Sequence, residues 1–154
     1  MRRPAITDPL TRLLHRHPGA ETFTFGDGPA LSARLLALVI AGKKTASTGA
    51  LREFDGGAAM PRVGRRDVAL HWDGTPACVI ETREVVTCRF DEVTAEMALA
   101  EGEDADLAGW IAGHTAYFAR NGGFAPQMPV VWERFRLIEV CPATPPEVPQ
   151  VDIP

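Results

Sequence analysis

Cysteine is scarce in this chain, which carries three in its 154 residues, namely Cys78, Cys88 and Cys141. Their irregular spacing matches neither a disulfide framework nor a zinc knuckle, so the sequence excludes a small fold held by either kind of cross-link. Cys78 lies within an apolar run and is expected to be a buried, reduced thiol.

Long apolar runs are also missing. The longest, Leu35 to Ala41, is far shorter than the about 20 residues that a membrane-spanning helix needs. The first residues, Met1 to Pro4, are basic, but no apolar segment typical of a signal peptide follows them. We therefore expect a cytoplasmic protein that has no membrane partner.

Positive charge is in deficit, because 16 Lys and Arg face 20 Asp and Glu for a net charge of -4. A protein that covers a long stretch of phosphate backbone usually has a basic surplus, since its cations replace condensed counterions. Any contact with nucleic acid should therefore involve a local pocket or a short segment. With 45% apolar and 23% charged residues, the chain has the composition and length of one packed domain.

The local patterns predict helices and strands in mixed order, which indicates an α+β domain. Gly42 follows the second predicted helix as its C-terminal stop, and Asp73-Gly74 is typical of a hairpin turn. The proline-rich residues 141–154 predict an extended or disordered tail. The predicted helices cover 9–15, 30–41, 95–100 and 106–120, and the predicted strands cover 22–25, 68–72, 77–86 and 130–140.

The first candidate site is the polar segment of small residues 43–49, directly after a predicted helix C-terminus. Lys43 and Lys44 in this position suit the partial negative charge of the helix end, so both can be electrostatic caps. Alternatively, one lysine points inward beside the hydroxyls of Thr45 and Ser47. A desolvated lysine can lose its proton and activate a hydroxyl or a water molecule.

The second candidate is the acidic segment 101–106. Its carboxylates can be solvated helix caps, and Asp104 or Asp106 is a suitable N-cap for the helix that follows. Glu101 is the functional candidate, because it ends one helix next to a glycine and can turn toward a pocket. A carboxylate that faces an amine would complete a general acid/base pair.

The third candidate is the series Trp110, His114 and Phe118, spaced by four, with Tyr117 beside it. These residues share one side of a helix, which is most simply explained by core packing around a hydrogen-bonded histidine. The functional alternative is an aromatic platform for a nucleobase. The other histidines show no metal-ligand spacing with His114, and no dinucleotide-binding glycine pattern occurs, so we predict no metal and no cofactor.

Several of these segments, taken in order, resemble the ASCH domain, in the longer bacterial branch of that family. The resemblance extends from about Leu31 to Val140 and includes Trp110 and His114. It is carried by the segments Gly42–Thr45, Pro61–Gly64, Pro76–Thr82, Ala100–Glu103 and Val131–Phe135.

The resemblance implies a PUA-like fold, a small mixed β-barrel with flanking helices, as a single domain over 1–140 with its core at about 22–140. It also implies a partner that is RNA, a nucleoside or a nucleotide. Some ASCH members resemble ribonucleases, and a shorter branch is an acetylcytidine amidohydrolase that uses a lysine, a threonine and a glutamate. By motif position these catalytic residues correspond to Lys44, Ser47 and Glu101.

Substrate contacts are expected from five further residues of the same segments, namely Lys43, Thr45, Trp110, His114 and Tyr117. One departure concerns the arginine that the motif commonly places five residues after the lysine, where this chain has Gly49. Arg52 is near, but three positions along a strand it would face the opposite way.

Two hypotheses follow from this reading. The protein is either a hydrolase that acts on RNA or a modified nucleoside, which we favour, or a non-catalytic RNA or nucleotide reader. A third hypothesis, weaker than these, is a protein-interaction module that uses the proline-rich tail.

Overall fold

The computed structural model describes residues 8–55 and 59–142. Helices and strands alternate irregularly along this part of the chain, as the sequence predicts. Five helices (α1–α5), five strands (β1–β5) and one 3-10 turn make up the described part. They are α1 Pro9–Arg16, β1 Thr22–Phe23, α2 Pro29–Ile40, β2 Ala46–Ala50, α3 Leu51–Asp55, β3 Arg66–Leu70, β4 Pro76–Arg89, the 3-10 turn Phe90–Glu92, α4 Ala95–Ala100, α5 Leu107–Arg120 and β5 Pro129–Val140.

The strands form one mixed sheet in the order β1-β3-β4-β5-β2. The pair β1–β3 is parallel, and the other three pairs are antiparallel. The α+β class is therefore confirmed. Closure into a barrel is not seen among the described strands, because β1 and β2 are the two edges and a barrel needs every strand paired on both sides.

The predicted helices are confirmed to within one or two residues, and local capping explains why. Asp106 is the N-cap of α5, where its side chain accepts from the amide of Gly109. Thr94 caps α4 in the same way through the amide of Met97. At the other end of α2, Gly42 has a φ of 78°, the left-handed conformation that terminates helices.

The region after Gly42 differs from the prediction. Residues Ala46–Ala50 form a strand paired with β5, although Ala-Ser-Thr-Gly-Ala carries no β-branched alternation. Tertiary pairing therefore overrides local propensity here. The following residues form the short helix α3, so Arg52 lies on a helix and not, as expected, on a strand. Of the predicted tail, residues 143–154 lie outside the described part.

The core consists of two main apolar clusters, one beneath α2 and one beneath α5. Leu35 and Val39 of α2 pack with Ile80 and Phe135 of the sheet in the first cluster. The second cluster contains the aromatic side chains of α5 and the 3-10 turn, together with Val130. The ends of α2 and α4 meet where the amide of Thr45 donates to the carbonyl of Ala100 at 2.8 Å. This contact brings the first two candidate segments together.

Candidate active site

The turn at Gly42 separates the two lysines. The amides of Lys43 and Lys44 both donate to the carbonyl of Leu38, so the chain turns back across the end of α2. Lys43 is exposed at the helix end, whereas Lys44 is turned inward and only 2% exposed. The interpretation as a surface cap thus fits Lys43, and the inward position belongs to Lys44.

The amine of Lys44 contacts three oxygen acceptors. Nζ lies 2.8 Å from the carbonyl oxygen of Ala46, 2.7 Å from Oε2 of Glu103 and 3.5 Å from Oε1 of Glu101. Three acceptors around one amine match the three donors of an ammonium group. Two of the three acceptors are carboxylate oxygens, so Lys44 is held by ion pairs with Glu101 and Glu103. That a desolvated lysine loses its proton stays a prediction.

Glu101, at the C-terminal end of α4, is 1% exposed and accepts from four donors. Oε2 accepts from Thr48 Oγ1 and from the indole of Trp110, and Oε1 lies 3.2 Å from Nε2 of His114 and 3.5 Å from Nζ of Lys44. Burial disfavours the charge, but these donors outweigh it and lower the pKa of Glu101. Glu101 is thus the central anion around which the site is organised.

His114 stands on α5 with both ring nitrogens near acceptors. Nδ1 lies 3.0 Å from the carbonyl oxygen of Trp110, and Nε2 faces Glu101. Burial opposes protonation of the ring, but the hydrogen bond to Glu101 and the charges of Glu101 and Glu103 raise the pKa of His114 above 6.5. An imidazolium with two donors fits both contacts.

Trp110 cannot serve as the predicted base-stacking surface. Its side chain is 0% exposed and is sandwiched between Phe90, at a centroid distance of 5.1 Å, and His114, at 4.1 Å. Both ring faces are therefore covered, and Trp110 acts as a core residue that also orients Glu101. Tyr117, half-buried on the same helix, does line the cleft described below.

The three hydroxyl residues after Lys44 have different surroundings. Thr45 Oγ1 donates to the carbonyl of Ala100 at 3.0 Å, so this side chain joins two backbone segments. Ser47 lines the cleft. Thr48, which the sequence reading did not single out, donates to Glu101 at 2.8 Å.

Two further carboxylates reach the site without having been predicted as functional. Glu103 makes the shortest ion pair of Lys44, and its side chain is 15% exposed. Glu133 lies on β5 opposite Ser47 of β2, where it accepts from Thr82 Oγ1 at 2.9 Å. Burial raises the pKa of Glu133. The available signal was its position as an acidic residue directly after the apolar strand segment Val130–Trp132.

These groups open onto a cavity of about 560 Å³, which we call the cleft. Its lining combines ionisable residues with apolar and aromatic side chains from β1, α2, α3 and α5. Arg34, Arg65 and Arg120 also line it, whereas Arg52 is used elsewhere and donates to the carbonyls of Asn121 and Gly123. The lining includes Lys44, Ser47, Thr48, Glu101, Glu103, Glu133, His114, Tyr117, Phe23, Phe25 and Phe54.

Glu101, Glu103 and His114 place possible metal-ligand atoms within 4.8 Å of one another. The surroundings do not suit a cation, because the ammonium of Lys44 already supplies positive charge to both carboxylates. A divalent ion would have to displace Lys44 and deprotonate His114. We assign no metal to these residues.

The ASCH domain model matches residues 21–139. An ASCH domain structure from Lactobacillus crispatus is 28% identical, with a TM-score of 0.72, covering 82% of this chain and 84% of that one.

A second similar structure, an Enterococcus faecalis V583 protein of family DUF984, is 25% identical, with a TM-score of 0.75, covering 85% of this chain and 86% of that one. No curated protein matches the chain. Within the described residues, no helix has the length and apolar character that a membrane crossing requires. The family match spans most of the sequence, so the chain belongs to the ASCH domain family, which is linked to RNA-related functions.

Proposed function

We propose that the protein is a hydrolase that acts on RNA or a modified nucleoside, with its reacting groups around Lys44. The observation that carries this proposal is the ammonium of Lys44, held 2.7 Å from Glu103 at the wall of the cleft. A buried cation beside a partly accessible carboxylate provides both charge stabilisation and proton transfer within one site.

The contacts support a division of roles between the residues. Glu101 is saturated by four donors and would hold Lys44, Thr48 and His114 in place without exchanging protons itself. Glu103 is partly exposed and would be the general acid/base. Lys44 would stabilise developing negative charge, and Ser47 would position or attack the substrate.

For an acylated nucleoside, these roles give a balanced reaction. Water, or Ser47 in a two-step route, adds to the carbonyl carbon while Glu103 accepts the displaced proton. Lys44 stabilises the oxyanion that forms. The bond from carbon to nitrogen then breaks, and Glu103 returns the proton to the leaving amine. A second addition of water would release the acid from Ser47 if the two-step route is used.

The remainder of the cleft fits a nucleobase. Phe54 and Tyr117 are half-buried and line the cavity, and rings of this kind offer stacking surfaces that accept any base. With Trp110 fully buried, Tyr117 becomes the aromatic side chain of α5 that is available to a ligand. The expected ligand contacts are therefore with Tyr117, Phe54 and Ser47.

A non-catalytic reader of RNA or a modified nucleotide is the second candidate. The observation that favours it is the complete pairing of the central residues, since Lys44 and Glu101 already have three acceptors and four donors. Such a network can form the rigid wall of a binding pocket without reacting.

Mass spectrometry of products separates the two candidates. The wild type and Glu103→Gln are incubated with a panel of acylated nucleosides and short single-stranded RNAs. Turnover that falls by about 100-fold or more in Glu103→Gln supports the hydrolase. Binding of one ligand without formation of product from any substrate would rule out the hydrolase and support the non-catalytic reader.

The choice of variant follows from burial. Lys44→Ala removes one of the cations that face the buried Glu101, and breaking a buried ion pair in this way costs about 3–5 kcal/mol and endangers folding. Glu103→Gln keeps the shape of a side chain that is 15% exposed. A loss of turnover in this variant can therefore be attributed to the missing carboxylate and not to unfolding. Arg89→Ala, an exposed change at the far end of β4, is the control and should leave turnover unchanged.

A further inference from the structure

The cleft has more negative than positive side chains. Seven carboxylates line it, together with four lysine and arginine side chains. Even when the ring of His114 is charged, the lining keeps a formal surplus of two negative charges. A phosphate group would enter against this surplus, and charges repel more strongly in a partly desolvated cleft than in bulk water. The charge of the lining therefore favours a neutral or positively charged ligand.

The positive side chains of the cleft are already engaged. Three of the four have carboxylate partners, and the fourth, Arg34, is exposed and donates to the carbonyl oxygen of Glu103 at 3.0 Å. A phosphate would have to compete with these contacts for each cation. The carboxylate pairs are Lys44 with Glu101 and Glu103, Arg65 with Glu21 and Asp67, and Arg120 with Asp27.

Three carboxylates of the lining are in the opposite situation. Glu53, Asp104 and Glu133 have no lysine, arginine or histidine within ion-pair distance among residues 8–55 and 59–142. Burial is the largest cause that raises the pKa of each of them. A raised carboxylate pKa means that nearby positive charge does not compensate for the lost hydration. A cation bound in the cleft would supply this compensation.

Glu53 stands where the chain departs from the ASCH motif. The motif commonly has an arginine at the position of Gly49, which lies on β2 at the wall of the cleft. A Cβ at Gly49 would lie 3.4 Å from Oε2 of Glu53 and 3.7 Å from two ring carbons of Phe54. The space in front of Gly49 is therefore bordered by a carboxylate and an aromatic ring, and a negative group lies where the motif has a positive one.

Tyr117 adds a second aromatic ring to this part of the cleft. Burial and the charge of Glu53 both raise the pKa of its hydroxyl, and Tyr117 and Phe54 are half-buried in the lining. Arg120 lies over one face of the Tyr117 ring at 5.1 Å. Aromatic faces attract cations, most strongly where water is partly excluded. We call Gly49, Glu53, Phe54 and Tyr117 the acidic corner of the cleft.

We propose that the acidic corner binds a positively charged base, and that Glu53 determines this specificity. The ligand class is a nucleoside whose base carries a positive charge, such as a base methylated on a ring nitrogen, with no phosphate group in the cleft. This inference rests on the proposed function for the nucleoside nature of the ligand. It concerns binding and does not depend on turnover.

The test compares the affinities of four probes by isothermal titration calorimetry at neutral pH. The probes are cytidine, 3-methylcytidine, 3-methyluridine and 3-methylcytidine 5′-monophosphate. The base of 3-methylcytidine is protonated and positive at this pH, whereas 3-methyluridine carries the same methyl group without the charge. We expect 3-methylcytidine to bind on the order of tenfold more tightly than either neutral nucleoside. Its monophosphate should bind more weakly than the nucleoside, because the phosphate faces a negative lining.

Matched variants on α3 isolate the role of Glu53. Glu53→Gln keeps the shape and removes the charge, so the roughly tenfold preference for 3-methylcytidine over 3-methyluridine should be largely lost. Asp55→Asn removes an equal charge from the same helix, but Asp55 does not line the cleft, so this variant should keep the preference. Both side chains are exposed, so folding should be retained.

Four results would overturn the proposal. Two concern the wild type, namely no binding of 3-methylcytidine, or equal affinity for it and for 3-methyluridine. A preference that Glu53→Gln leaves intact is the third, and tighter binding of the monophosphate than of its nucleoside is the fourth. Preference for the charged base without turnover of any substrate would keep the proposal and remove the hydrolase. Turnover of neutral nucleosides that Glu53→Gln leaves unchanged, with no preference for the charged base, would do the reverse.

Discussion

The ammonium of Lys44 lies closer to Glu103, at 2.7 Å, than to Glu101, at 3.5 Å, although Glu101 is the more buried carboxylate. Glu101 is already satisfied by Thr48, Trp110 and His114. The charge of Lys44 is therefore directed mainly to the carboxylate that reaches the cleft surface. In the proposed hydrolase, this asymmetry would separate a structural anion, Glu101, from a reactive one, Glu103, within a segment of three residues.

Gly102 lies between these two carboxylates in the chain and packs against the backbone of Lys43. Its φ is +71°, and a Cβ at this position would lie 2.1 Å from the carbonyl oxygen of Lys43. Gly102→Ala should therefore lower the free energy of unfolding by about 3 kcal/mol or more, since the neighbour is backbone and cannot rotate away. Chemical denaturation measures this loss.

Gly74 provides the matched control for that substitution. It has a φ of +90° in the hairpin turn, but nothing lies within 4 Å of its Cβ position. Gly74→Ala should show only the conformational cost, about 1–2 kcal/mol. Equal losses in the two variants would contradict close packing of Gly102 against the backbone of Lys43.

Thr48 is predicted to stabilise the site through its single hydrogen bond to Glu101. Thr48→Val keeps the shape but removes a donor to a buried carboxylate, and should cost about 1–3 kcal/mol. Thr87→Val, an exposed change on β4, should stay within about 0.5 kcal/mol of wild type. Thermal unfolding of both variants measures these two changes in stability. A Thr48→Val variant as stable as wild type would mean that the hydrogen bond from Thr48 to Glu101 does not stabilise the site.

The helices of this protein were predictable because their ends are encoded locally. Asp106 and Gly42 act through their own backbone neighbours, so the sequence contains the whole signal. Glu101 and the pair Lys43 and Lys44 could likewise be marked as candidates, since they lie just after helix ends, and the resemblance to the ASCH domain selected Lys44 of the two. A contact between the Lys44 amine and the Glu101 carboxylate was expected from the residue types. The backbone hydrogen bond from Thr45 to Ala100 brings the two side chains together.

The remaining features depend on contacts that are distant in sequence. Strand β2 forms because it pairs with β5. Neighbouring residues of a strand face opposite sides of the sheet. The hydroxyl that donates to Glu101 is therefore that of Thr48 and not that of Ser47. The spacing of Trp110 identified its face of the helix but not its burial. Glu133 reaches the cleft only through the sheet register.

His114 should make stability depend on pH above the ordinary range of histidine. Its folded-state pKa is raised above 6.5, so the stabilisation is fully present below pH 6.5 and is lost as the pH rises through the folded value. The difference in unfolding free energy between wild type and His114→Gln should therefore be larger at pH 6 than at pH 9. Denaturation at several pH values measures it.

The exposed His71 offers a control for that profile. His71→Gln measures the effect of replacing an exposed histidine by glutamine as such. A stability difference between wild type and His114→Gln that does not change with pH would mean that the ring does not carry a charge beside Glu101.

Glu133 should show opposite effects on stability and activity. Burial raises its folded-state pKa above 4.5, so its charge is unfavourable, and stability is lost as the pH rises from 4.5 through the folded value. Glu133→Gln should therefore be at least as stable as wild type at pH 7, with the gain disappearing near pH 4. If the carboxylate exchanges protons with a substrate in the cleft, the same variant should lose about 100-fold in kcat/KM.

Glu84→Gln, an exposed change on the neighbouring strand, should alter neither quantity appreciably. A buried carboxylate that only fills space would give a stable Glu133→Gln variant with wild-type turnover. Stability gained together with activity lost would instead indicate that the charge is retained for function, because a side chain selected for stability alone would not be improved by removing it.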